Sequence, residues 1–231
     1  MTQSAKSLFT AMRRKVGSMQ DTVLPIDLPD GRRPDIDLRD PLDYDPTPPD
    51  ATAAFLAAEA GHMRHHGARV WEAAVGGGHM ARVLASAGFT VIASDVVDRG
   101  HPGTILRSFY DWDAPPAPIL FTNPPYCEIN ARDGHCAWLR YALSLGLDYI
   151  ALLLNADWPA ARINGMDLVL EDFPPSIEYL CCWKIDFRGA GAPPQRNSWF
   201  VWDTARPAVA RNTWLRTRLY RDINPDQGVL L

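Results

Sequence analysis

Short apolar runs alternate with helix-length segments between residues 68 and 154, and the helical segments end at glycine. Two parallel strands need a long crossover to return the chain, and a helix usually supplies it. The alternation therefore predicts an α/β fold around a mostly parallel sheet. Two later runs, rich in aromatic and β-branched residues, predict an antiparallel pair that closes the sheet. The predicted strands cover residues 68–73, 90–95, 104–106, 119–122, 149–154, 177–183 and 198–202, and the predicted helices cover 47–61, 79–87 and 136–145.

One turn carries more chemistry than the rest, because Asn123, Pro124, Pro125 and Tyr126 follow directly after a predicted buried strand. Open α/β folds bind their ligands at the carboxyl ends of such strands. The two prolines fix the backbone, so the Pro124 carbonyl can face outward as an acceptor. The Asn123 side-chain oxygen is a second acceptor, and Tyr126 adds a flat ring. This set suits a planar amine such as the exocyclic amino group of adenine; an ordinary strand-ending turn is the alternative.

A glycine-rich loop follows the first predicted strand and opens a helix. Gly76, Gly78 and Ala81 satisfy the spacing of a dinucleotide-binding loop, and Asp95 ends the second strand where an acid can bind ribose hydroxyls. These residues alone leave a nicotinamide dinucleotide and a methyl donor both open. Glu72 stands just before the loop, and its carboxylate suits an ammonium group better than a pyrophosphate. S-adenosylmethionine carries an ammonium and a sulfonium, so Glu72 favours that methyl donor.

Together the loop, the ribose acid and the tetrapeptide resemble the class I S-adenosylmethionine-dependent methyltransferases over roughly residues 44–203. Within that class they look like the DNA adenine-N6 methyltransferases of the small phage type. The resemblance implies a Rossmann-like α/β fold with a C-terminal antiparallel hairpin strand. It also implies methyl transfer to the exocyclic amino group of adenine in DNA. RNA adenine, a protein glutamine amide and a non-catalytic nucleic-acid-binding role remain alternatives.

The resemblance also assigns roles to individual residues. The tetrapeptide is the catalytic motif, and Tyr126 within it would stack on the target base once that base has left the duplex. Asp111 would bond the adenine amino group of the cofactor, and Trp112 would flank the adenine ring. The catalytic positions are Asn123, Pro124, Pro125 and Tyr126, and the cofactor-binding positions are Thr47, Glu72, Ala74, Gly76, Gly78, Asp95, Asp111 and Trp112.

Two more residues are predicted to contact the substrate. Trp158 follows the fifth strand and could pack against a base, although core packing is the alternative for a tryptophan. Arg132 flanks the catalytic turn and could hold a phosphate. No metal is expected, because the histidines at 62, 65 and 66, although at helical spacing, have no nearby cysteine to complete a coordination set.

The 231 residues are enough for one domain with a full core. We expect a polar, flexible segment over 1–43, a methyltransferase domain over 44–203 and a basic segment over 204–231. The net charge of −4 argues against a generally basic nucleic-acid binder. Residues 1–20 and 206–221 nevertheless carry cations and no acid, so they could meet phosphates. A final helix packed on the domain, with its arginines in solvent, is the alternative for the second segment.

The composition, 47% hydrophobic and 22% charged residues, is typical of globular proteins in water. No apolar run has the length of a membrane span, and the start of the sequence lacks an apolar signal core. The four cysteines show no CxxC spacing and fit a reducing compartment. The sequence therefore predicts a cytoplasmic protein, and the resemblance given above implies DNA, or RNA, as its partner.

Overall fold

The computed structural model describes residues 44–129, 136–160, 166–189, 191, 193 and 195–221. The predicted N-terminal segment 1–43 and Arg132 lie outside these residues. Besides two short 3-10 helices, the chain forms five α-helices and eight β-strands within the described ranges. They are α1 (Pro49–His65), β1 (Arg69–Glu72), α2 (His79–Ser86), β2 (Thr90–Asp95), β3 (Ile105–Leu106), β4 (Ile119–Thr122), α3 (Tyr126–Ile129), α4 (Ala137–Ser144), β5 (Tyr149–Asn155), α5 (Met166–Asp172), β6 (Ile177–Cys181), β7 (Asn197–Asp203) and β8 (Leu215–Leu219).

The eight described strands form one sheet in the order β3-β2-β1-β4-β5-β7-β6-β8. Every neighbouring pair is parallel except the two that involve β7, which runs antiparallel to both β5 and β6. The predicted mostly parallel sheet with a C-terminal antiparallel hairpin is confirmed. The chain order reverses between β1 and β4, which are neighbours in the sheet. Their carboxyl ends therefore flank the crevice where such sheets bind ligands.

The sheet is buried on both faces by separate apolar clusters. Phe121 of β4 faces the cluster that includes Phe55 of α1, and its neighbour Leu120 faces the cluster that includes Trp138 of α4. All four residues of β4 are buried. A strand covered on both faces reads as a continuous apolar run, which is why this one could be placed from the sequence.

Two predicted boundaries are wrong for identifiable reasons. The first helix continues past Gly61 to His65, because Gly61 sits in open space inside the helix and does not take the left-handed conformation. The helix ends instead before Gly67, whose φ is +120°. The sheet also extends beyond residue 203, because β8 pairs with β6 and buries Leu219. Residues 215–219 of the C-terminal segment thus form a strand, and the packed final helix is wrong for them.

None of the described helices combines the length and the apolarity needed to cross a membrane.

Candidate active site

The glycine loop and the predicted catalytic tetrapeptide lie side by side at the carboxyl edge of the sheet. Val70 and Trp71 of β1 pair with Ile119 and Leu120 of β4. The loop that leaves β1 at Glu72 therefore borders the turn that leaves β4. The fold brings together two motifs about fifty residues apart in the sequence.

The glycine loop is held by the end of β2. The Gly76 N–H donates to Asp95 Oδ2 at 2.8 Å, and the Val97 N–H donates to Asp95 Oδ1 at 3.1 Å. Gly76 and Gly78 have φ values of +54° and +75°, which a residue with a β-carbon adopts only with strain. Asp95 is half-buried, and its two carboxylate oxygens keep acceptor capacity beyond these two bonds. Ala74, also half-buried, lies in the turn between β1 and Gly76.

Glu72 is a buried carboxyl group with an unused acceptor. It is 2% exposed, and its Oε2 has no hydrogen-bond partner within the described part of the chain. Burial, and then the nearby Asp95 carboxylate, raise the pKa of Glu72 well above its ordinary value, while a hydrogen bond from the Ala81 backbone opposes that shift. A cationic group at this position would satisfy Oε2 and offset the cost of burial.

Two side chains with aromatic rings, those of Tyr44 and His101, close over the glycine loop. The Tyr44 hydroxyl accepts the Gly77 N–H at 3.0 Å. A β-carbon at Gly76 would overlap the Tyr44 ring, and one at Gly78 would overlap the imidazole of His101. The loop glycines are therefore required by their own protein neighbours. A ligand that lies along this loop must share the space with Tyr44 and His101 or displace them.

The amide of Asn123 is oriented by a contact that the sequence did not reveal. Its Nδ2 donates to Thr47 Oγ1 at 3.1 Å, while its Oδ1 has no hydrogen-bond partner among the described residues. Thr47 is predicted to contact the cofactor, and in the structure its hydroxyl also contacts Asn123, the predicted catalytic asparagine. The acceptor side of the Asn123 amide is thereby left for another donor.

Tyr126 is fixed from the other side of the site. Its hydroxyl accepts Asn197 Nδ2 at 3.0 Å. Asn197 is fully buried at the start of β7, opposite Asn155 at the end of β5. The tyrosine ring therefore spans from the end of β4 across the end of β5. In the sequence, Asn197 is distinguished only as a polar residue at the start of a strand that is rich in aromatic residues.

The two residues expected at the cofactor adenine follow β3. Asp111 ends a short 3-10 helix and is exposed. The half-buried Trp112 ring lies 5.3 Å from the ring of Trp71 and 4.4 Å from the guanidinium carbon of Arg107. Both remain predicted cofactor residues, and their positions after β3 leave them on the same edge as the glycine loop.

Trp158, which the sequence predicts to contact the substrate, is packed among residues of the chain, and a substrate contact stays a prediction. Its ring is 8% exposed and packs 5.3 Å from the ring of Phe200. Its Nε1 donates to the Ile129 carbonyl at 3.4 Å, so it anchors the end of α3. The geometry supports core packing, the alternative given for this residue.

The arginines of the C-terminal segment make contacts within the chain, and their role as phosphate ligands stays a prediction. Arg218 donates from Nε to Cys182 Sγ at 3.4 Å. The other four form ion pairs with carboxylates. These pairs are Arg206–Glu59, Arg211–Glu171, Arg216–Glu178 and Arg221–Asp50, at 2.9, 2.9, 2.8 and 3.5 Å.

Other cations lie on the site edge of the sheet. Lys184 follows β6 and Arg196 precedes β7, and both side chains are exposed with no ion pair in the ranges that the structure describes. The carbonyl of Arg196 accepts the N–H of Ala156, just beyond the end of β5. Lys184 and Arg196 therefore lie on the same sheet edge as Asn197, whose side chain bonds to Tyr126 of the predicted catalytic tetrapeptide. In the same described ranges, no group of three His, Cys, Asp or Glu residues could hold a metal ion.

No protein-family model and no curated protein matches this chain. Several solved structures are similar to it, and three of them are described here by their own names. A candidate RNA methyltransferase from Pyrococcus horikoshii shares 14% identity and a TM-score of 0.53, over 69% of this chain and 87% of its own. A candidate class I S-adenosylmethionine-dependent methyltransferase from Listeria monocytogenes shares 12% identity and a TM-score of 0.51, over 94% and 74%. DrdV in complex with DNA shares 11% identity and a TM-score of 0.50, over 75% of this chain and 27% of its own.

At such low identity the similarity defines the fold and nothing finer. The chain has the Rossmann-like fold of class I S-adenosylmethionine-dependent methyltransferases, with the mostly parallel sheet and reversed β7 described above.

Proposed function

We propose that this protein transfers a methyl group from S-adenosylmethionine to the exocyclic amino group of adenine in DNA. The observation that carries the proposal is the Asn123 amide. It stands at the end of β4 beside the glycine loop, with Nδ2 bonded to Thr47 and Oδ1 without a partner in the described chain. An acceptor held in this way suits a substrate that presents an N–H group.

The residues around the glycine loop fit S-adenosylmethionine. The unpartnered Oε2 of Glu72 matches the ammonium of the amino-acid end, and the half-buried Asp95 carboxylate matches the ribose hydroxyls. Asp111 and Trp112 would hold the adenine. Bound there, the cofactor supplies a methyl group made electrophilic by the adjoining sulfonium.

The protein's contribution to the reaction is to prepare the amino nitrogen. That nitrogen is a poor nucleophile, because its lone pair is delocalised into the adenine ring. Asn123 Oδ1 and the Pro124 carbonyl would accept its two N–H groups and favour a pyramidal nitrogen. They would also stabilise the positive charge that develops there until one proton leaves to solvent. Removing one preorganised partner of this kind typically costs about a hundredfold to a thousandfold in turnover.

Tyr126 would provide the surface against which the target base packs. Its hydroxyl bond to Asn197 fixes the ring beside Asn123. In a duplex, one amino N–H of adenine is paired with thymine and both faces of the nitrogen are covered by neighbouring base pairs, so the base has to leave the stack before Asn123 can bind the amino group.

The proposal that the substrate is a nucleic acid rests on the positive charge at the site edge. The exposed Lys184 and Arg196 could meet phosphates near the tetrapeptide. One similar structure is a complex with DNA, which supports the proposal by analogy of fold. RNA adenine is the second candidate, because another similar structure is described as a candidate RNA methyltransferase.

Labelled methyl donor should be incubated with duplex DNA, single-stranded DNA, RNA and bulk protein in parallel. Digestion to nucleosides and chromatography then identify the modified atom. We expect label in N6-methyladenine from DNA, and none with a preparation that carries Asn123→Ala. Label in RNA alone or in protein glutamine would replace the substrate assignment, and no transfer to any of the four would overturn the proposed activity.

A further inference from the structure

Residues 44–48 form a strap that precedes α1 and crosses the candidate site. Tyr44 contacts the glycine loop through its hydroxyl, and Asp45 pairs with Arg188 of the β6–β7 loop at 3.1 Å. Thr47 accepts the Asn123 Nδ2 at 3.1 Å and is 5% exposed. Prolines stand on both sides of Thr47 and restrict its backbone. Its hydroxyl is therefore presented to Asn123 from a rigid frame.

A primary amide has one donor side and one acceptor side, and a half turn about its last bond exchanges them. If the proposed function holds, only one orientation of Asn123 is productive. With Oδ1 toward the substrate the amide accepts an amino N–H, whereas with Nδ2 toward the substrate two donors face each other. In the observed orientation Thr47 accepts from Nδ2, and in the reversed one its O–H could donate to Oδ1, so the hydroxyl favours one orientation by at most the worth of a neutral hydrogen bond, about threefold to tenfold.

We infer that Thr47 is a positioning residue for the catalytic amide. Its hydroxyl accepts the N–H of Asn123 and so holds Oδ1 toward the substrate amine. This inference rests on the proposed function and adds a role that differs from the cofactor contact expected for Thr47. The two roles separate experimentally, because a cofactor residue changes cofactor affinity and a positioning residue changes turnover.

The first test compares two substitutions at this position. Thr47→Val removes the acceptor and keeps the branched shape, and Thr47→Ser keeps the hydroxyl. We expect Thr47→Val to lower turnover about threefold to tenfold with unchanged calorimetric affinity for S-adenosylmethionine, and Thr47→Ser to retain the parent turnover. Thermal unfolding serves as the folding control. Parent turnover in Thr47→Val, or a loss confined to cofactor affinity, overturns the inference.

The second test is a double-mutant cycle with Asn123→Asp. A carboxylate presents an acceptor in either orientation, so it has no need of a partner to choose between them. The effect of Thr47→Val on turnover should therefore disappear in the Asn123→Asp background, which gives a coupling equal to the loss seen in the parent. Equal losses in the two backgrounds would show that Thr47 acts in some other way.

A third readout does not depend on activity. The side-chain amide signals of Asn123, assigned by their disappearance in Asn123→Asp, should be protected from hydrogen exchange in the parent and in Thr47→Ser. They should lose that protection in Thr47→Val. A parent that transfers no methyl group would defeat the proposed function, whereas amide signals that are identical in the parent and in Thr47→Val would defeat the role of Thr47.

Discussion

Replacing Glu72 by glutamine should weaken the binding of S-adenosylmethionine about tenfold to a hundredfold. Glu72 is buried, its Oε2 has no partner among the described residues, and its pKa is raised by burial and by Asp95. Hydrogen bonds to charged groups contribute about 1.5–3 kcal/mol, and each 1.4 kcal/mol corresponds to about a factor of ten in affinity. Glutamine keeps the shape and an oxygen for the Ala81 N–H but removes the charge that an ammonium needs.

The raised pKa makes a further prediction about pH. An ammonium ligand requires the ionised carboxyl, so binding should expel a proton from Glu72. Parent affinity should then rise about tenfold per pH unit while the pH is below the pKa of folded Glu72, and level off above it. The affinity should be measured below about pH 7.5, where the α-amino group of the cofactor is still charged. Glu72→Gln should show no such rise.

The same shift allows a folding control. A carboxyl whose pKa is raised on folding stabilises the folded state most at pH below its unfolded pKa, and loses that contribution as the pH rises through the folded pKa. At pH 8 the Glu72→Gln protein should therefore be at least as stable as the parent. Glu178→Gln, a buried glutamate near the amino end of β6, is the matched control and should keep the parent affinity.

Titration calorimetry in buffers of different ionisation enthalpy measures both the affinity and the protons released. Equal affinity in the parent and in Glu72→Gln, or a pH dependence that survives the substitution, would refute the proposed ammonium receptor. So would an equal loss in Glu178→Gln.

Two further predictions concern the substrate side of the site. Tyr126→Phe should lower the free energy of unfolding by about 1–3 kcal/mol in chemical denaturation, because it leaves the buried Asn197 amide without its partner. Unchanged stability would show that this bond contributes nothing. Charge reversal at both Lys184 and Arg196 should weaken DNA binding and flatten its logarithmic salt dependence by about two units, whereas Arg211→Glu at the opposite edge should keep the parent slope. A double reversal with the parent slope would exclude these two residues as phosphate ligands.

The strands next to the reversal of strand order between β1 and β4 could be predicted, because strands buried on both faces consist of continuous runs of apolar residues. The apolar run at 119–122 and the alternation of strand and helix up to Asp95 could be recognised without knowledge of any long-range contact. β8 was missed, although Leu215, Thr217 and Leu219 alternate with arginines at the period of a strand. The arginines of this segment have no acidic residue near them in the sequence, which favoured the interpretation of a charged surface. Their carboxylate partners come from distant parts of the chain.

The residue types of the site followed from the sequence, but their pairings did not. Asn123 and Thr47 are 76 positions apart, and Tyr126 and Asn197 are 71 apart. Such contacts form because the strand order brings distant segments together at one edge of the sheet. No local sequence pattern specifies them. The closure of Tyr44 over the glycine loop is of the same kind.

The central claim, that Asn123 accepts the substrate amine, is tested most directly by single-turnover methyl transfer with the parent and with Asn123→Ala. Both proteins should be saturated with labelled S-adenosylmethionine and mixed with an adenine-containing DNA strand. We predict that Asn123→Ala transfers label to adenine N6 about a hundredfold or more slowly, with cofactor affinity and thermal stability close to the parent values. Transfer by Asn123→Ala at a rate near that of the parent would contradict the account.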